Sequence, residues 1–557
     1  MQPARTITFA ASIATVLLNA GCANAVGPAS NGNTVAHQAT ASAEGIGRVE
    51  VKTVPFDPDL LVRSATYTPS GKVLVSYAAD EETSRRDLTL ATMNDDGTGL
   101  RTFFEGTVPA RPKDNGIRFM VFPDNKRIFL GDFVLECTTS LETCTDAKLL
   151  PVAYPAEVAD GDHVSHRWSE MIIAPDNRSV AWTTLLANYS ALVFTGELDK
   201  KGDGYVIAKP SIVSSIDPFR PDPAHADGVL PQPVLGGEVK QFVDGGKALS
   251  VVGAVRRDTP DSVVQHLASG RREGITDTPG YTETTIFSPD ERLGITMTTR
   301  FSPGSNPAIL GLVPRPYPDS LNMGLSMFAY TYSVTGVRRV RPGNIGPALI
   351  DIAASKSQAG YAGVDLSTDP AWVYRSPMSW HPGGKKAMWQ EGREGGGSER
   401  IQVVYLPDYR PHAPVAAAST PLAVGYGITD LSVVTEYAKK SDDIDIKVYG
   451  RASGHIEYRR SPGRISKTYV NFSDDGRAVY SGSETLKADP RGNSRYVADV
   501  TLTGPTPGRM DMQVTFGPLG GDLPASIIFA PDDAGKPMSR GFAEYDGRRL
   551  EVGDLVP

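Results

Sequence analysis

The residues of this 557-residue chain that could do chemistry include eight histidines, spread from one end to the other. The closest pair is His163 and His166, in the segment DGDHVSHRW, which leads into a predicted strand. Residues three apart share a face on a helix but point to opposite sides of a strand. Since histidine is a common metal ligand, the candidate metal site is the set His163, His166, His225 and His381. Their spacing matches no metal motif, so the sequence predicts neither a metal nor a cofactor, and the catalytic residues stay unknown.

Motifs for two large enzyme classes are missing. A serine hydrolase of the α/β type needs Gly-x-Ser-x-Gly on a strand-to-helix turn, and the chain contains no such segment. Phosphate-binding loops precede a helix, whereas the glycine-rich stretch 394–399 lies between two predicted strands. The carboxylate pairs at 442–443 and 474–475 fall in turn contexts, where solvated turn formation is the expected role. The sequence therefore favours a protein that is not an enzyme.

The N-terminus has the layout of an export signal. Arg5 precedes an uncharged stretch over residues 6–18, which is followed by Asn19-Ala-Gly-Cys22. This resembles a bacterial lipoprotein signal, in which the cysteine is lipidated and becomes the mature N-terminus; here Asn19 stands where leucine is usual. We therefore predict a signal peptide over 1–21, lipid attachment at Cys22 and a flexible tether over 22–47. The alternative is an ordinary signal peptide cleaved nearby.

Export also bears on the other two cysteines, Cys137 and Cys144, in VLECTTSLETCTD. In an oxidising compartment two nearby cysteines form a disulfide. We predict a Cys137–Cys144 bond that pins a hairpin loop. The alternatives are two free thiols or half of a metal site that histidines complete.

Composition narrows the class further. The chain has 56 glycines, 43 prolines and 40% hydrophobic residues, a pattern typical of many short strands joined by turns. Its net charge of −8 includes no run of Lys or Arg, so nucleic acid is not an expected partner. After the N-terminus no apolar stretch is long enough to span a bilayer. The expected membrane contact is through the N-terminal lipid anchor.

One pattern recurs along the chain: an apolar residue, a Pro-Asp or Gly turn, a basic residue and an alternating strand. Such turns connect hairpin strands, so each copy predicts one hairpin. The copies are TYTPSGKVLVSY from Thr66, MVFPDNKRIFLG from Met120, IIAPDNRSVAWT from Ile172, QFVDGGKALSVV from Gln241, TIFSPDERLGIT from Thr285 and MSWHPGGKKAMW from Met378.

Two segments, of which one belongs to the copy from Thr285, carry a family resemblance. MNDDGTGLR followed later by FSPDERLGIT is similar to the WD-like repeat of TolB-type β-propellers. The resemblance implies an all-β fold with a TolB-like propeller over 48–412. Six hairpins suggest six blades, and residues 346–375 could hold a seventh. Residues 421–557, after an Ala/Pro-rich boundary, read as longer alternating strands. They predict a C-terminal antiparallel β domain, sandwich-like or barrel-like, or a segment that completes the propeller.

Propellers bind ligands where loops from every blade converge at the channel mouth. The leading hypothesis is a cell-envelope lipoprotein, periplasmic or at the cell surface, that binds an envelope protein, a peptide or a glycan at the propeller face. One alternative is an extracellular propeller-fold carbohydrate lyase or hydrolase that uses central histidines or acidic residues. Another is an envelope assembly factor of the TolB kind.

Overall fold

The computed structural model describes most of the chain from residue 45 onward. The described residues are 38–39, 45–79, 87–109, 119–187, 190–214, 217–232, 237–301, 307–333, 345–358, 360–367, 369, 371–393, 399–422, 425–438, 443–489, 491–518 and 526–555. Cys22, the predicted signal peptide and most of the predicted tether lie outside these residues. No helix in this part of the chain has the length and apolar character to cross a membrane.

Among the described residues up to 405, strands dominate and four α-helices have four to seven residues each. The first elements are β1 (Gln38–Ala39), β2 (Val49–Thr53), β3 (Leu61–Tyr67), β4 (Val73–Ala78), β5 (Asp87–Met93), β6 (Arg101–Thr107), β7 (Phe119–Val121), β8 (Arg127–Leu130), β9 (Phe133–Glu136), β10 (Lys148–Ala153), α1 (Ala156–Ala159), β11 (His163–Ser165), β12 (Ile172–Ile173), β13 (Ser179–Leu186), β14 (Ala191–Lys201) and β15 (Gly204–Ile212). The next are β16 (Phe219–Pro221), β17 (Val229–Pro231), β18 (Val239–Val243), β19 (Ala248–Gly253), β20 (Asp261–His266), β21 (Arg272–Gly274), β22 (Thr282–Phe287), β23 (Leu293–Thr298), α2 (Ala308–Gly311), α3 (Leu325–Thr331), β24 (Gly346–Asp351), α4 (Ile352–Ser357), β25 (Val364–Asp365), β26 (Trp372–Trp380), β27 (Lys386–Arg393) and β28 (Glu399–Tyr405).

These strands form consecutive antiparallel sets, which we call sheets. Over the described residues they are sheet 1 (β3–β6), sheet 2 (β7–β10), sheet 3 (β11–β15), sheet 4 (β18–β21), sheet 5 (β22–β25) and sheet 6 (β26–β28). A short parallel pairing of β10 with β15 joins sheets 2 and 3, and β16 and β17 form a separate two-stranded ribbon. Strand β2 pairs with β28, so the start of the fold completes the last sheet. β1 pairs with β2, and Ile46, in the predicted tether, is 1% exposed.

Each sheet packs on the next through an apolar core, and sheet 6 packs on sheet 1, so these sheets form a closed ring. Trp182 of sheet 3, for example, packs in the core that sheets 2 and 3 share, and Trp389 of sheet 6 packs in the core between sheets 5 and 6. Met388 of sheet 6 lies in one core with Val62 of sheet 1. A ring of radially packed antiparallel sheets is a β-propeller. The predicted fold class is confirmed.

All six predicted hairpins join the first and second strands of a sheet. In sheet 3 the first strand is interrupted: β11 and β12 both pair with β13, and we count them as one. Their turns need a residue in the left-handed region, which glycine adopts at little cost. Gly71 has φ +84° there, and Glu291 has φ +54°. The carboxylate of Glu291 accepts a hydrogen bond from the Asp244 N–H at 2.7 Å. Residues 346–375 contribute strands to sheets 5 and 6, and the number of blades in the whole chain stays a prediction.

The last part of the chain is a single eight-stranded antiparallel meander, preceded by the helix α5 (Ser432–Ala438). Its strands are β29 (Ile444–Tyr449), β30 (Ser453–Ser461), β31 (Arg464–Ser473), β32 (Val479–Lys487), β33 (Ser494–Thr503), β34 (Gly508–Phe516), β35 (Arg540–Tyr545) and β36 (Arg548–Glu551). One face of this sheet is covered by residues 307–333, which are inserted between β23 and β24 of the propeller. Sheet and insertion therefore share one core.

A buried charge cluster fixes this arrangement. Arg315 of the insertion pairs with Glu484 of β32 at 2.9 Å and with Asp258 of the β19–β20 loop at 3.2 Å. Lys467 of β31 lies 3.7 Å from Asp258, and all four side chains are at most 1% exposed. Although burial opposes it, Arg315 and Lys467 lower the pKa of Glu484 to about 2. Because buried charges need partners, the propeller loop, the insertion and the C-terminal sheet must fit together.

Candidate site at the propeller mouth

The two faces of the propeller differ in what covers them. One face carries the hairpin turns between first and second strands, and we call it the turn face. Residues 406–422 cross it in extended form: the Val415 N–H donates to the Pro289 carbonyl at 2.8 Å and the Ala418 N–H to the Gly245 carbonyl at 2.9 Å. The opposite face, where the first strand of each sheet begins, we call the mouth face. The insertion 307–333 rises from this face because it joins β23 to β24.

The first cluster of polar side chains at the mouth face lies where sheet 2 meets sheet 3. Asp132, in the β8–β9 turn, accepts from Arg167 Nε at 2.7 Å and contacts His166 Nε2 at 3.1 Å. Arg167 is 1% exposed and also donates to Glu170 at 3.3 Å. The ring of Tyr154 meets the His166 ring edge-on at 4.9 Å. These contacts hold Asp132 and Glu170 in fixed positions while both stay partly open to solvent.

The contacts of this cluster shift the pKa values of Asp132 and Arg167. Burial alone would raise the pKa of Asp132, but its hydrogen bond to His166 and the charge of Arg167 hold that pKa well below its usual value. Burial alone would lower the pKa of Arg167, but Tyr154, Glu170 and Asp132 raise it. Asp132 and Arg167 are therefore both ionised near neutral pH.

The second cluster joins sheets 4 and 5. Lys240 in β18 pairs with Glu238 at 2.5 Å and with Glu283 of β22 at 3.0 Å. Tyr281 donates its hydroxyl hydrogen to Glu283, and its ring lies 5.8 Å from the ring of Tyr330 in α3. Burial lowers the pKa of Lys240, but the two glutamates more than offset this and raise it above its usual value. Burial, and then Glu283, raise the pKa of Tyr281.

Thr183 links the two clusters. Its N–H donates to the Ser169 hydroxyl oxygen at 2.9 Å, and its own hydroxyl donates to the Gly237 carbonyl at 2.8 Å. Ser169 and Gly237 are the sequence neighbours of Glu170 and Glu238. The carboxylates of sheets 3 and 4 are therefore attached to one hydrogen-bonded frame.

Together the clusters hold four carboxylates and two permanent cations, which leaves a net negative charge before His166 is counted. All four carboxylate side chains are between 17% and 28% exposed. Carboxylate oxygens accept several hydrogen bonds each. The mouth face can therefore hold a ligand that offers hydrogen-bond donors and positive charge.

The four candidate histidines do not assemble into one group. The rings of His163 and His166 lie 5.7 Å apart, and His163 Nε2 contacts the Ala159 carbonyl at 3.0 Å. His225 stacks on Tyr449 of β29, with ring centroids 3.9 Å apart. His381 lies in a hairpin turn of the turn face, where burial lowers its pKa. Over the described residues no three His, Cys, Asp or Glu side chains are placed to hold a metal ion.

The predicted Cys137–Cys144 disulfide is present in the structure, with Cα atoms 5.6 Å apart. It closes the loop between β9 and β10, in the core that sheets 1 and 2 share. Lipid attachment at Cys22 falls outside the described residues and stays a prediction.

Sequence reasoning missed the charged residues of the mouth face, Lys240 and Glu283 in particular. The signal available was a charged residue near the start of an otherwise apolar or threonine-rich strand, as in EVKQFV and TETTIF. Similar charges occur on the solvent side of many strands. Only the arrangement of the sheets in space shows that these charged residues contact each other.

No family model and no curated protein matches the chain. Among solved structures, the chain is similar to a putative TolB from Agrobacterium tumefaciens, at 12% identity over 55% of this chain and 80% of that one, with a TM-score of 0.31. An oligogalacturonate lyase in complex with manganese is 10% identical over 67% of this chain and 96% of that one, with a TM-score of 0.34. The β-propeller domain of the Trilobed protease from Pyrococcus furiosus is 9% identical over 73% of this chain and 95% of that one, with a TM-score of 0.28.

Proposed function

We propose that this protein is an exported cell-envelope lipoprotein, anchored through Cys22, whose TolB-like propeller binds a peptide segment of a partner envelope protein. The observation that carries the proposal is the pair of linked polar clusters at the mouth face. Their carboxylates are held in place by neighbouring side chains, partly exposed and in excess over the cations. A site prepared in this way loses little entropy on binding.

The chemistry of the ligand follows from the charge balance. Glu170, Glu238 and Glu283 together can accept hydrogen bonds from ammonium or guanidinium groups. A peptide that carries Lys or Arg is therefore the expected ligand. A neutral glycan would offer hydroxyl donors but no positive charge.

Binding can be measured with two labelled peptides of equal length, one with Lys at alternate positions and one with Glu in their place. The mouth variant is Glu170→Gln/Glu238→Gln/Glu283→Gln. We expect the Lys peptide to bind the full chain, and the mouth variant to weaken its binding at least about tenfold. Binding of the Glu peptide with equal affinity would contradict the proposal.

A matched control removes three carboxylates elsewhere: Glu105→Gln/Asp408→Asn/Asp533→Asn, all exposed. It changes the net charge by the same amount, so it should leave binding within about twofold if the effect is local. Equal losses in both variants would show that only the overall charge matters, against the proposal.

A second candidate function is a carbohydrate lyase or hydrolase. The observation that favours it is the contact of Asp132 with His166 at 3.1 Å, since a carboxylate can orient an imidazole for proton transfer. This function requires polysaccharide cleavage by the full chain that is lost in His166→Gln. The absence of any cleavage, with peptide binding intact, would exclude it in favour of the binding role.

A further inference from the structure

The C-terminal sheet carries a row of positive charges that the mouth face does not use. Arg464 of β31 is the register partner of Lys487 of β32, and Lys487 is the register partner of Arg495 of β33. All three side chains are exposed. Register partners point to the same face of a sheet, so the three cations form one line across three strands, which we call the basic row.

The basic row is not neutralised from within the described residues. None of its three members forms an ion pair with a described carboxylate, whereas Arg459 on the adjacent strand β30 is paired with Asp445 at 3.1 Å. Arg495 donates to the side-chain oxygen of Gln513, and Arg540 of β35 donates to the same oxygen at 3.3 Å. Two guanidinium groups therefore share one neutral acceptor at the end of the row.

Like charges directly opposite each other destabilise a sheet. Neighbouring strands are about 5 Å apart, so the cations stand at about that interval along the row. An anion that lies across the strands relieves this repulsion, and arginine binds carboxylates through two parallel hydrogen bonds.

The shape of the charged surface selects among anionic partners. Asp499 lies on the same face of the sheet, four residues after Arg495 in β33. Its register partner is Asp511 of β34. Their side chains are 72% and 64% exposed, and both contact the single guanidinium of Arg509, so this patch keeps an excess of one negative charge. A flat anionic bilayer laid on this face would meet these carboxylates. A linear polymer that follows the row across the strands would not.

We propose that the basic row binds a linear acidic polysaccharide, with one carboxylate per sugar ring, in the cell envelope. The site is distinct from the mouth face, so it does not depend on the proposed peptide ligand. If both sites operate, the protein links an envelope polymer to an envelope protein.

The test uses the full chain with polygalacturonate as the probe and fully methyl-esterified polygalacturonate as the uncharged match. The row variant is Arg464→Gln/Lys487→Gln/Arg495→Gln. We expect polygalacturonate to bind, the esterified polymer not to bind, and the row variant to lose at least about tenfold in affinity. Equal binding of the esterified polymer, or no loss in the row variant, would overturn the proposal.

A matched control variant is Arg451→Gln/Arg548→Gln/Arg549→Gln, which removes three cations at the other end of the same sheet. It should keep its affinity within about twofold. Equal loss in the control would overturn the proposal, as would tighter binding to phosphatidylglycerol vesicles than to polygalacturonate. The Lys487→Gln variant tests the repulsion within the row without any ligand. It should raise the thermal unfolding midpoint at low salt, because it removes the repulsion of Lys487 by Arg464 and Arg495. It should not do so at high salt, because salt already screens that repulsion.

Discussion

Replacing Asp261 with asparagine should change how the stability of the propeller depends on pH. Asp261 begins β20, is 3% exposed, and its Oδ1 accepts from the Thr276 hydroxyl at 2.7 Å. Burial, with a smaller contribution from the charge of Asp277, raises the pKa of Asp261 to about 8 from a usual value of 3.8. The folded protein therefore keeps a proton at neutral pH that the unfolded chain releases.

The sign follows from linkage. Stability from this group is fully present below the unfolded pKa and is lost as pH rises toward the folded pKa. Each pH unit between the two values costs about 1.4 kcal/mol. From pH about 5 to about 8 the wild type should therefore lose up to about 4 kcal/mol that Asp261→Asn, which cannot ionise, does not lose.

Urea unfolding followed by tryptophan fluorescence measures this difference, because all five tryptophans lie within the propeller region. We expect the urea midpoint of Asp261→Asn, relative to wild type, to rise between pH about 5 and about 8. The exposed Asp533→Asn serves as the control, and its midpoint relative to wild type should not move. If the Asp261→Asn difference is the same at both pH values, the argument from burial is refuted.

Three further perturbations test other parts of the structure. Glu484→Ala leaves the guanidinium of Arg315 buried with one carboxylate fewer, so the C-terminal sheet should lose about 3–5 kcal/mol of stability. Hydrogen exchange on the strands of the sheet measures this loss, and exchange equal to wild type would contradict the cluster's role. Cys137→Ser/Cys144→Ser opens a short loop and should cost about 2–3 kcal/mol in urea unfolding, and reduced wild type should match it; no difference between oxidised and reduced wild type would refute the effect. Cys22→Ala should move the protein from the membrane to the soluble fraction, and a soluble wild type would argue against lipidation.

Much of the propeller could be predicted because its strands pair with their neighbours in sequence. Each Pro-Asp or Gly turn joins two adjacent strands, so the copies from Thr66 to Met378 identify the hairpins directly. The alternating strands of the C-terminal meander are readable for the same reason, and so is the Cys137–Cys144 bond.

Contacts between distant segments could not be predicted in this way. Nothing local in the sequence indicates that residues 307–333 cover the C-terminal sheet, or that Asp258 and Glu484 share Arg315. The sequence suggested a sandwich-like or barrel-like C-terminal domain, because alternation reveals a buried face but not what buries it. Here an insertion from the propeller covers that face.

The mouth-face site could not be predicted for the same reason, because its contacts join residues that are distant in sequence. Lys240 and Glu283, for example, come from different sheets. Histidine chemistry made the four histidines the candidates in the sequence, but the structure does not group them. The structure instead brings carboxylates and cations together through the order of the sheets around the ring.

The most direct test of the binding role is photo-crosslinking in intact cells with a photoreactive phenylalanine analogue at position 162, an exposed residue of the mouth face directly before β11 that is not one of the four binding carboxylates. The control places the same group at position 126, an exposed lysine in a hairpin turn of the turn face. We predict a discrete crosslinked envelope protein from position 162 and none from position 126. No product from position 162, or the same products from both positions, would contradict the account.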